Sequence, residues 1–244
     1  MTQTGKNILA RLLPGMVLFV LLTASLTQAH TLEEAKQKLS QKDYAGAHAI
    51  YLSLANQNDA KACYNLGLMY HDGDGVTQNM DEAVKWYTKS ADLGYREAQY
   101  MLGSLVFQRQ IQSISYPQAV AFYEQAAKQG HVKSQLNLGM LYLRGEVIEQ
   151  DMPAAVQWLS LAASNNNSEA QGYMAELYQQ GAGVEQDTVK AAMWLMLATQ
   201  NEDKHFLTRH TKMLSYLSAQ MTDEQKASAT QLAAQCKSKQ LQGC

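Results

Sequence analysis

Small and apolar residues recur every 36 positions through more than half of the chain, in two blocks per repeat. The first block centres on Leu66-Gly67, Leu102-Gly103, Leu138-Gly139 and Met174-Ala175. The second combines Ala83, Ala119, Ala155 and Ala191 with an aromatic residue three positions later, at Trp86, Phe122, Trp158 and Trp194. Within each block the apolar positions lie three or four residues apart, which predicts an amphipathic helix. Four in-register copies indicate a repeat protein with two helices per unit, which we call helix A and helix B.

Residues that begin and end helices recur at the same period. Helix B is predicted to begin after an N-cap residue whose side chain accepts from a free backbone N–H, at Asn79, Ser115, Asp151 and Asp187. It is predicted to end at residues that tolerate the left-handed conformation, namely Gly94, Gly130 and Asn166. The fourth equivalent is Glu202, so we expect the array to change form there.

The glycines of helix A and the aromatic residues predict how the helices pack. Glycine inside a helix costs about 1 kcal/mol relative to alanine, so its recurrence at 67, 103 and 139 predicts close approach of the partner helix. The aromatic stripe is predicted to form the core between repeats; it comprises Trp86, Phe122, Trp158 and Trp194 with Tyr70, Tyr142 and Tyr178.

The turn between helices A and B departs from the pattern in the second copy. Copies one and four have Gly73-x-Gly75 and Gly181-x-Gly183, and copy three keeps only Gly145. Copy two has Arg109 and Ile111 at the glycine positions. A β-branched residue rarely adopts a positive φ, so we expect the turn at 108–115 to follow another path.

Shorter helical patterns flank the repeats. A helix at 33–40 and another opened by Asp43-Tyr44 predict a tetratricopeptide-like unit over residues 30–60. After the repeats, residues 208–219 predict a capping helix, and Thr222 with Gln225 predicts a capping box that opens the last helix. The predicted repeats are 61–97, 98–133, 134–169 and 170–205, followed by capping helices and a tail at 206–244.

Composition and the N-terminus predict an exported, folded protein. The chain is 46% hydrophobic and 17% charged, as folded soluble proteins are. Residues 1–29 have the form of a signal peptide: Lys6 and Arg11 precede an apolar run, and cleavage is predicted after Ala29. That run, about 11 residues long, is shorter than the roughly 20 needed to span a bilayer. We expect a periplasmic location, with secretion as the other possibility, and no transmembrane segment after signal removal.

The net charge indicates which classes of partner to expect, and the cysteines indicate which disulfide can form. Removing residues 1–29 takes away Lys6 and Arg11, which changes the formal net charge from −2 to −4. A mildly acidic chain without a basic cluster is not typical of nucleic-acid binding. In an oxidising compartment Cys236 and Cys244 are a possible disulfide pair, whereas Cys63 is predicted to be a buried small residue in helix A.

These repeated residues resemble the Sel-1-like repeat family, a relative of the tetratricopeptide repeats, over about residues 60–205. The Leu-Gly pair of helix A, the Gly-x-Gly-Val turn and the Ala and Trp of helix B carry the resemblance, best in copies one and four. The resemblance implies an all-α, right-handed α-solenoid that holds protein or peptide partners on its concave side. It also implies an envelope adaptor, although some family members were named for β-lactamase-like activity.

No motif supports an enzyme or a metal site. The mature sequence has no Gly-x-Ser-x-Gly elbow, no Ser-x-x-Lys pair and no Lys-Thr-Gly. A calcium loop starting at Asp72 would need an acidic residue at its twelfth position, where Ala83 stands. No Cys/His cluster has zinc spacing. We therefore expect no catalytic residue, no cofactor and no metal.

The helix A positions that do not repeat are the candidate partner-binding residues on the concave face. They are Tyr64, Leu68 and His71; Tyr100, Ser104 and Phe107; Leu136, Met140 and Leu143; and Gly172, Glu176 and Gln179. The first three sets are apolar for a solvated surface, and exposed apolar patches mark interaction sites. The alternative is that the superhelix curls so tightly that these residues pack on one another.

The sequence therefore predicts a non-enzymatic scaffold or adaptor of the bacterial cell envelope that binds a segment of a partner protein. A binder of cell-wall glycan, peptide or a small molecule is the alternative within binding, and a β-lactamase-like hydrolase is the alternative class. The sequence predicts neither the partner nor the oligomeric state.

Overall fold

The computed structural model describes residues 32–200, 206–241 and 244, and all regular structure in these residues is α-helical. The helices are α1 (residues 32–40), α2 (Tyr44–Asn56), α3 (Ala60–Asp72), α4 (Met80–Asp92), α5 (Arg96–Phe107), α6 (Tyr116–Lys128), α7 (Val132–Arg144), α8 (Met152–Ser164), α9 (Ser168–Gln180), α10 (Thr188–Thr199), α11 (Leu207–Ser218) and α12 (Asp223–Ser238). The predicted signal peptide at 1–29 and the predicted change at Glu202 lie outside the described residues.

Four helix pairs repeat at the predicted period, and the all-α fold class is confirmed. Helix A of the four copies is α3, α5, α7 and α9, and helix B is α4, α6, α8 and α10. The chain divides into two compact units, one reaching to Ala98 and one starting at Gln99. In the second unit consecutive helices pack on one another from α6 through α10, and α11 and α12 both pack on α10. No helix in the described residues combines the length and apolar character needed to cross a bilayer.

The predicted helix boundaries are confirmed by local hydrogen bonds. The side chains of Asn79, Asp151 and Asp187 each accept from a backbone N–H three residues later. Thr222 and Gln225 form the predicted capping box at the start of α12. At the exits of helix B, Gly94, Gly130 and Asn166 have φ values of 86°, 79° and 60°.

The glycines of helix A lie against helix B of the same repeat, as predicted. A Cβ atom at Gly67 would overlap the ring of Tyr87. At Gly103 it would come within 2.6 Å of the Tyr123 ring, and at Gly139 within 2.6 Å of Leu159. Contacts this short do not occur between real side chains, so these positions admit only glycine unless helix B moves.

The residue that covers each glycine corrects the predicted core. Tyr87, Tyr123, Leu159 and Leu195 are the buried residues of helix B, with exposures of 0%, 2%, 0% and 1%. The predicted core residues Trp86, Phe122 and Trp158 each precede one of them and are only half-buried. Trp194 is 1% exposed and does belong to the core. Trp86 and Trp158 still pack against core clusters, so the aromatic prediction is confirmed fully at Trp194 and in part at these two positions.

Each unit has its own core. In the first unit, α2 and α3 enclose a cluster that includes Tyr51, Leu54, Leu66 and Met69. In the second, a larger cluster extends from α7 to α12. Trp194 and Leu195 belong to it, and so does Cys236 of α12. Cys236 forms a disulfide with Cys244, with Cα atoms 5.6 Å apart, and Cys63 is a buried free thiol.

Candidate partner-binding surface

In the first unit, the predicted surface residues surround one buried tyrosine. The Tyr64 ring lies 5.7 Å from the Tyr87 ring and 5.3 Å from the Tyr95 ring. His71 Nδ1 and the Tyr87 hydroxyl oxygen are 3.3 Å apart. Tyr64, Leu68 and His71 are half-buried. The Tyr64 and His71 side chains are largely occupied by contacts within their own repeat, so they offer little free surface.

In the second unit, Tyr100 and Phe107 pack on both sides of Tyr123. Tyr100 lies 5.9 Å from the Tyr123 ring and 4.5 Å from the ring of His131. Phe107 stacks on Tyr123 at 5.4 Å with the ring planes 7° apart, and it also contacts Tyr116 at 5.5 Å. Tyr116 itself is 41% exposed, so this aromatic group reaches the surface.

Two of the predicted partner-binding residues are buried, which corrects their assignment. Ser104 and Leu136 are each 8% exposed. The Ser104 hydroxyl accepts a hydrogen bond of 2.8 Å from the Gln108 side chain, and Leu136 belongs to the large core cluster. A docked segment would not reach either side chain, because the neighbouring helix already covers them.

Phe107 and Met140 meet at a cavity of about 220 Å³ between α5 and α7. Tyr123 and Leu141 complete its apolar wall, and Arg144 and Val147 lie at the end where α7 turns toward α8. Burial raises the pKa of Tyr123 to about 12, against the opposite effect of hydrogen bonds with Asn137 and Ser104. The phenol is therefore neutral at physiological pH, and the floor of this cavity, which we call the aromatic cavity, is uncharged.

Two further cavities continue along the helix A side of the second unit. Leu143 lines a cavity of about 390 Å³ with Tyr173, Glu176 and Leu177 of α9. Glu176 and Gln179 line the next one, about 820 Å³, with Arg209 and Lys212 of α11. The predicted residues Phe107, Met140, Leu143, Glu176 and Gln179 thus line three cavities of the second unit, the last two of which share Glu176 and Gln180.

Helix α11 covers part of the surface predicted for the fourth repeat. A Cβ atom at Gly172 would clash with the His210 ring, and Arg209 forms an ion pair with Glu176. His210 is 2% exposed. Gly172 is therefore an interhelical contact, whereas Glu176 and Gln179 remain at the rim of a cavity.

The α5–α6 turn, which lacks both glycines, follows another path, as predicted. It departs from the other turns only from residue 111 onward, where they have or replace the second glycine. Arg109 keeps the left-handed conformation of the first glycine, with φ 58°. Ile111 is not left-handed and is 8% exposed. The N–H of Ser115 bonds to the Gln118 side chain at 2.9 Å. In the other three copies, the equivalent N–H bonds across the turn to Tyr70, Tyr142 or Tyr178.

A repeated glutamine holds the regular turns and was missed by the sequence analysis. The side chains of Gln78, Gln150 and Gln186 donate to the carbonyls of His71, Leu143 and Gln179 at 2.7–2.8 Å. These residues are separated by 72 and 36 positions, and copy two has Ile114 in their place. The period that identified the helices would also have identified this contact.

The aromatic cavity offers contacts for recognition. The described residues contain no group of three or more His, Cys, Asp or Glu that would hold a metal ion. Around the aromatic cavity the two charged side chains, Arg144 and Glu146, have opposite signs. What the cavity provides is apolar and aromatic area next to the exposed side chains of Tyr116 and Val147, which are 41% and 38% exposed.

Comparison with known proteins identifies the repeat. The Sel1 repeat model matches residues 60–95, 96–131, 132–167 and 168–203, which is more than half of the chain. The chain belongs to the Sel1 repeat family. The Sel1 units coincide with the α3–α4, α5–α6, α7–α8 and α9–α10 pairs, so the chain is an all-α solenoid of Sel1 repeats.

Two known proteins match this chain over short stretches. A DAP3-binding cell death enhancer 1 from Rattus norvegicus is 43% identical over 51 residues, covering 21% of this chain and 10% of the relative. A sel1-like repeat-containing protein of Acanthamoeba polyphaga mimivirus is 37% identical over 62 residues, covering 25% of this chain and 12% of the relative. This chain therefore matches only a small part of either relative.

Solved structures with the same repeat match over most of the chain. A protective antigen of uropathogenic Escherichia coli strains with an SLR fold, c5321, superposes with a TM-score of 0.72 at 30% identity. The match covers 85% of this chain and 45% of that one. A Sel1 repeat protein from Oxalobacter formigenes gives a TM-score of 0.58 at 33% identity, with 69% and 66% of the two chains covered.

Proposed function

We propose that this protein is a non-enzymatic scaffold of the bacterial cell envelope that binds a segment of a partner protein on the helix A side of residues 99–244. Sel1 repeat proteins generally act as protein-interaction scaffolds. The aromatic cavity is the observation that supports this particular surface, because it places Phe107 and Met140 beside exposed Tyr116 and Val147.

Recognition at this surface depends on burying an apolar side chain of the partner. Fully burying a leucine, methionine or phenylalanine side chain contributes about 1.5–3 kcal/mol. A cavity of about 220 Å³ is below the usual range of small-molecule sites, so one side chain is a better fit than a whole ligand. Aromatic residues and methionine at its wall suit such contacts, because they bury large areas and adapt to different shapes.

The test uses two matched charge substitutions. Val147→Glu introduces a carboxylate at the aromatic cavity, whereas Leu161→Glu does so at an equally exposed site on α8, since the two residues are 38% and 40% exposed. A photo-crosslinking amino acid at Met140 should give a discrete protein adduct in cells, and Val147→Glu should remove it while Leu161→Glu does not. An adduct that survives Val147→Glu places binding elsewhere, and a glycan adduct supports the cell-wall alternative.

The envelope location is a separate part of the proposal and rests on residues 1–29. Lys6, Arg11, the apolar run and Ala29 together support export through a cleaved signal peptide. Expression in an export-competent bacterium, followed by fractionation and intact mass measurement, should find a periplasmic protein that begins at His30. A cytoplasmic chain of full mass would contradict it.

A further inference from the structure

The cavities on the helix A side of the second unit change in charge from one end to the other. The aromatic cavity has an uncharged wall, and its rim residues Arg144 and Glu146 cancel in formal charge. At the other end, Arg209 and Lys212 of α11 face Glu176 of α9, which leaves one net positive charge. Glu176 pairs with Arg209, and Lys212 has no ion-pair partner among the described residues. This second end, which we call the basic cavity, is suited to an anionic group.

We propose that the partner segment is an extended peptide carrying an apolar anchor for the aromatic cavity and an acidic side chain for the basic cavity. This inference rests on the proposed function and specifies the chemistry of the partner. Lys212 supplies the charge that the fold leaves uncompensated, and Gln179 and Gln180 supply amide groups at the same rim.

The spacing between the two cavities sets the spacing within the peptide. The aromatic cavity lies between α5 and α7, and the basic cavity lies between α9 and α11. Packed helices are about 10 Å apart, so two helix spacings separate the cavities by roughly 20 Å. An extended chain advances about 3.3 Å per residue, so the acidic residue is expected about six positions from the anchor.

The cavity between them is compatible with an extended backbone. Its apolar lining residues include Leu143, Met152, Tyr173 and Leu177, and its polar lining residues are Gln150, Glu176 and Gln180. Polar groups beside an apolar floor offer hydrogen-bonding partners to peptide N–H and C=O groups. A peptide with alternating side chains would present every second residue to this floor.

Selection from a random peptide library identifies the preferred partner chemistry without assuming a sequence. A displayed library of random 16-residue peptides is selected on the intact mature chain, and enriched peptides are measured by fluorescence anisotropy. We expect an acidic residue to be enriched five to seven positions from a Leu, Met or Phe. Binding should weaken as salt is raised from 0.05 to 0.5 M, because exposed charge pairs are screened.

Three variants show which cavity each part of a selected peptide contacts. Lys212→Glu should weaken the selected peptides about tenfold, because attraction becomes repulsion, and a peptide with its acidic residue changed to lysine should recover binding to it. Lys133→Glu changes an exposed lysine on α7 away from the cavities and should alter affinity less than twofold. Val147→Glu should weaken every selected peptide more than tenfold.

The outcomes separate this inference from the proposed function. Peptides that lose binding to Val147→Glu but bind Lys212→Glu normally would support the proposed surface and overturn the acidic partner. If no selected peptide is affected by Val147→Glu, the proposed surface fails and this inference fails with it. Binding of soluble peptidoglycan fragments that depends on Val147, with no acidic peptide enriched, would overturn the inference in favour of a glycan.

Discussion

At the scale of single residues, packing in each repeat is decided by one glycine and the side chain that covers it. Gly103 lies under the ring of Tyr123, and the same ring supports Phe107 in the wall of the aromatic cavity. A change at Gly103 would therefore displace a side chain that the proposed surface depends on. The glycine is a core residue with a direct effect on the site.

Gly103→Ala should lower the free energy of unfolding by up to about 2 kcal/mol. Helix propensity alone would favour alanine by about 1 kcal/mol, but the new Cβ would lie 2.6 Å from the Tyr123 ring, and overpacking costs about 1–3 kcal/mol. Urea unfolding followed by circular dichroism measures the change. Ala121→Gly, at an exposed position of α6, measures the difference in helix propensity between alanine and glycine without a change in core packing. A stabilising Gly103→Ala would show that the close approach is absent.

Residue patterns predicted the features that depend on nearby residues, such as helix caps. They failed for features that depend on how helices pack on one another. Asn79 and Asp151 could be identified as N-caps because they bond to backbone three residues away. Positions 86 and 87 both lie on the apolar stripe of helix B, so the sequence could not tell whether Trp86 or Tyr87 covers Gly67. Phe107, Met140 and Leu136 were all predicted at the surface. Leu136 is buried instead, because neighbouring helices cover it, and the sequence of one helix does not show this.

At the scale of elements, the α5–α6 turn is the irregular connection in an otherwise repeated arrangement. It lacks the bridging glutamine side chain of the other copies, and Arg109 adopts a conformation that glycine adopts more easily. Tyr116 follows this turn and contacts Phe107 at 5.5 Å. The irregular turn thus positions an exposed aromatic residue beside the aromatic cavity. Val147 replaces the second turn glycine in copy three, and Lys212 lies on α11 beyond the repeats, so the helix A pattern indicated neither residue.

Arg109→Gly should raise the free energy of unfolding by about 0.5–1 kcal/mol. A non-glycine residue in the left-handed region costs roughly 1–2 kcal/mol, and the greater freedom of glycine in the unfolded chain offsets part of the gain. Ala121→Gly, in the interior of helix α6, should instead lower stability by about 1 kcal/mol. Equal losses in both variants, measured by urea unfolding, would contradict the left-handed assignment of Arg109.

Loss of the Cys236–Cys244 disulfide should lower the free energy of unfolding by about 2 kcal/mol. The bridge joins Cys236 of α12 to Cys244, and closure of so few residues removes only limited entropy from the unfolded chain. Cys244→Ser is the appropriate variant, because Cys236 is buried against Met193 and its replacement would also disturb the core. A reducing agent should destabilise the unmodified protein by the same amount and leave Cys244→Ser unchanged; sensitivity of the variant to reduction would point to another cause.

At the scale of the whole molecule, the chain divides into two compact units, and each contains a cluster of buried residues. In repeat proteins each unit depends chiefly on its neighbours, so local damage need not spread through the chain. The larger core of the second unit, around Trp194 and Leu195, supports α9, the helix that carries Glu176 and Gln179. Partner binding on this unit therefore depends on the packing of this core.

Leu195→Ala tests this division of stability. Leu195 is 1% exposed, and removing a fully buried leucine side chain costs about 2–5 kcal/mol. Hydrogen exchange should become faster in α8–α10 and in α12, which share its core cluster, while α2 and α3 of the first unit keep their protection. Leu161→Ala, which changes a 40% exposed residue of α8, should alter exchange in neither unit. Uniform loss of protection from α2 to α12 in Leu195→Ala would show that the chain unfolds as one cooperative body and that the two cores are not independent.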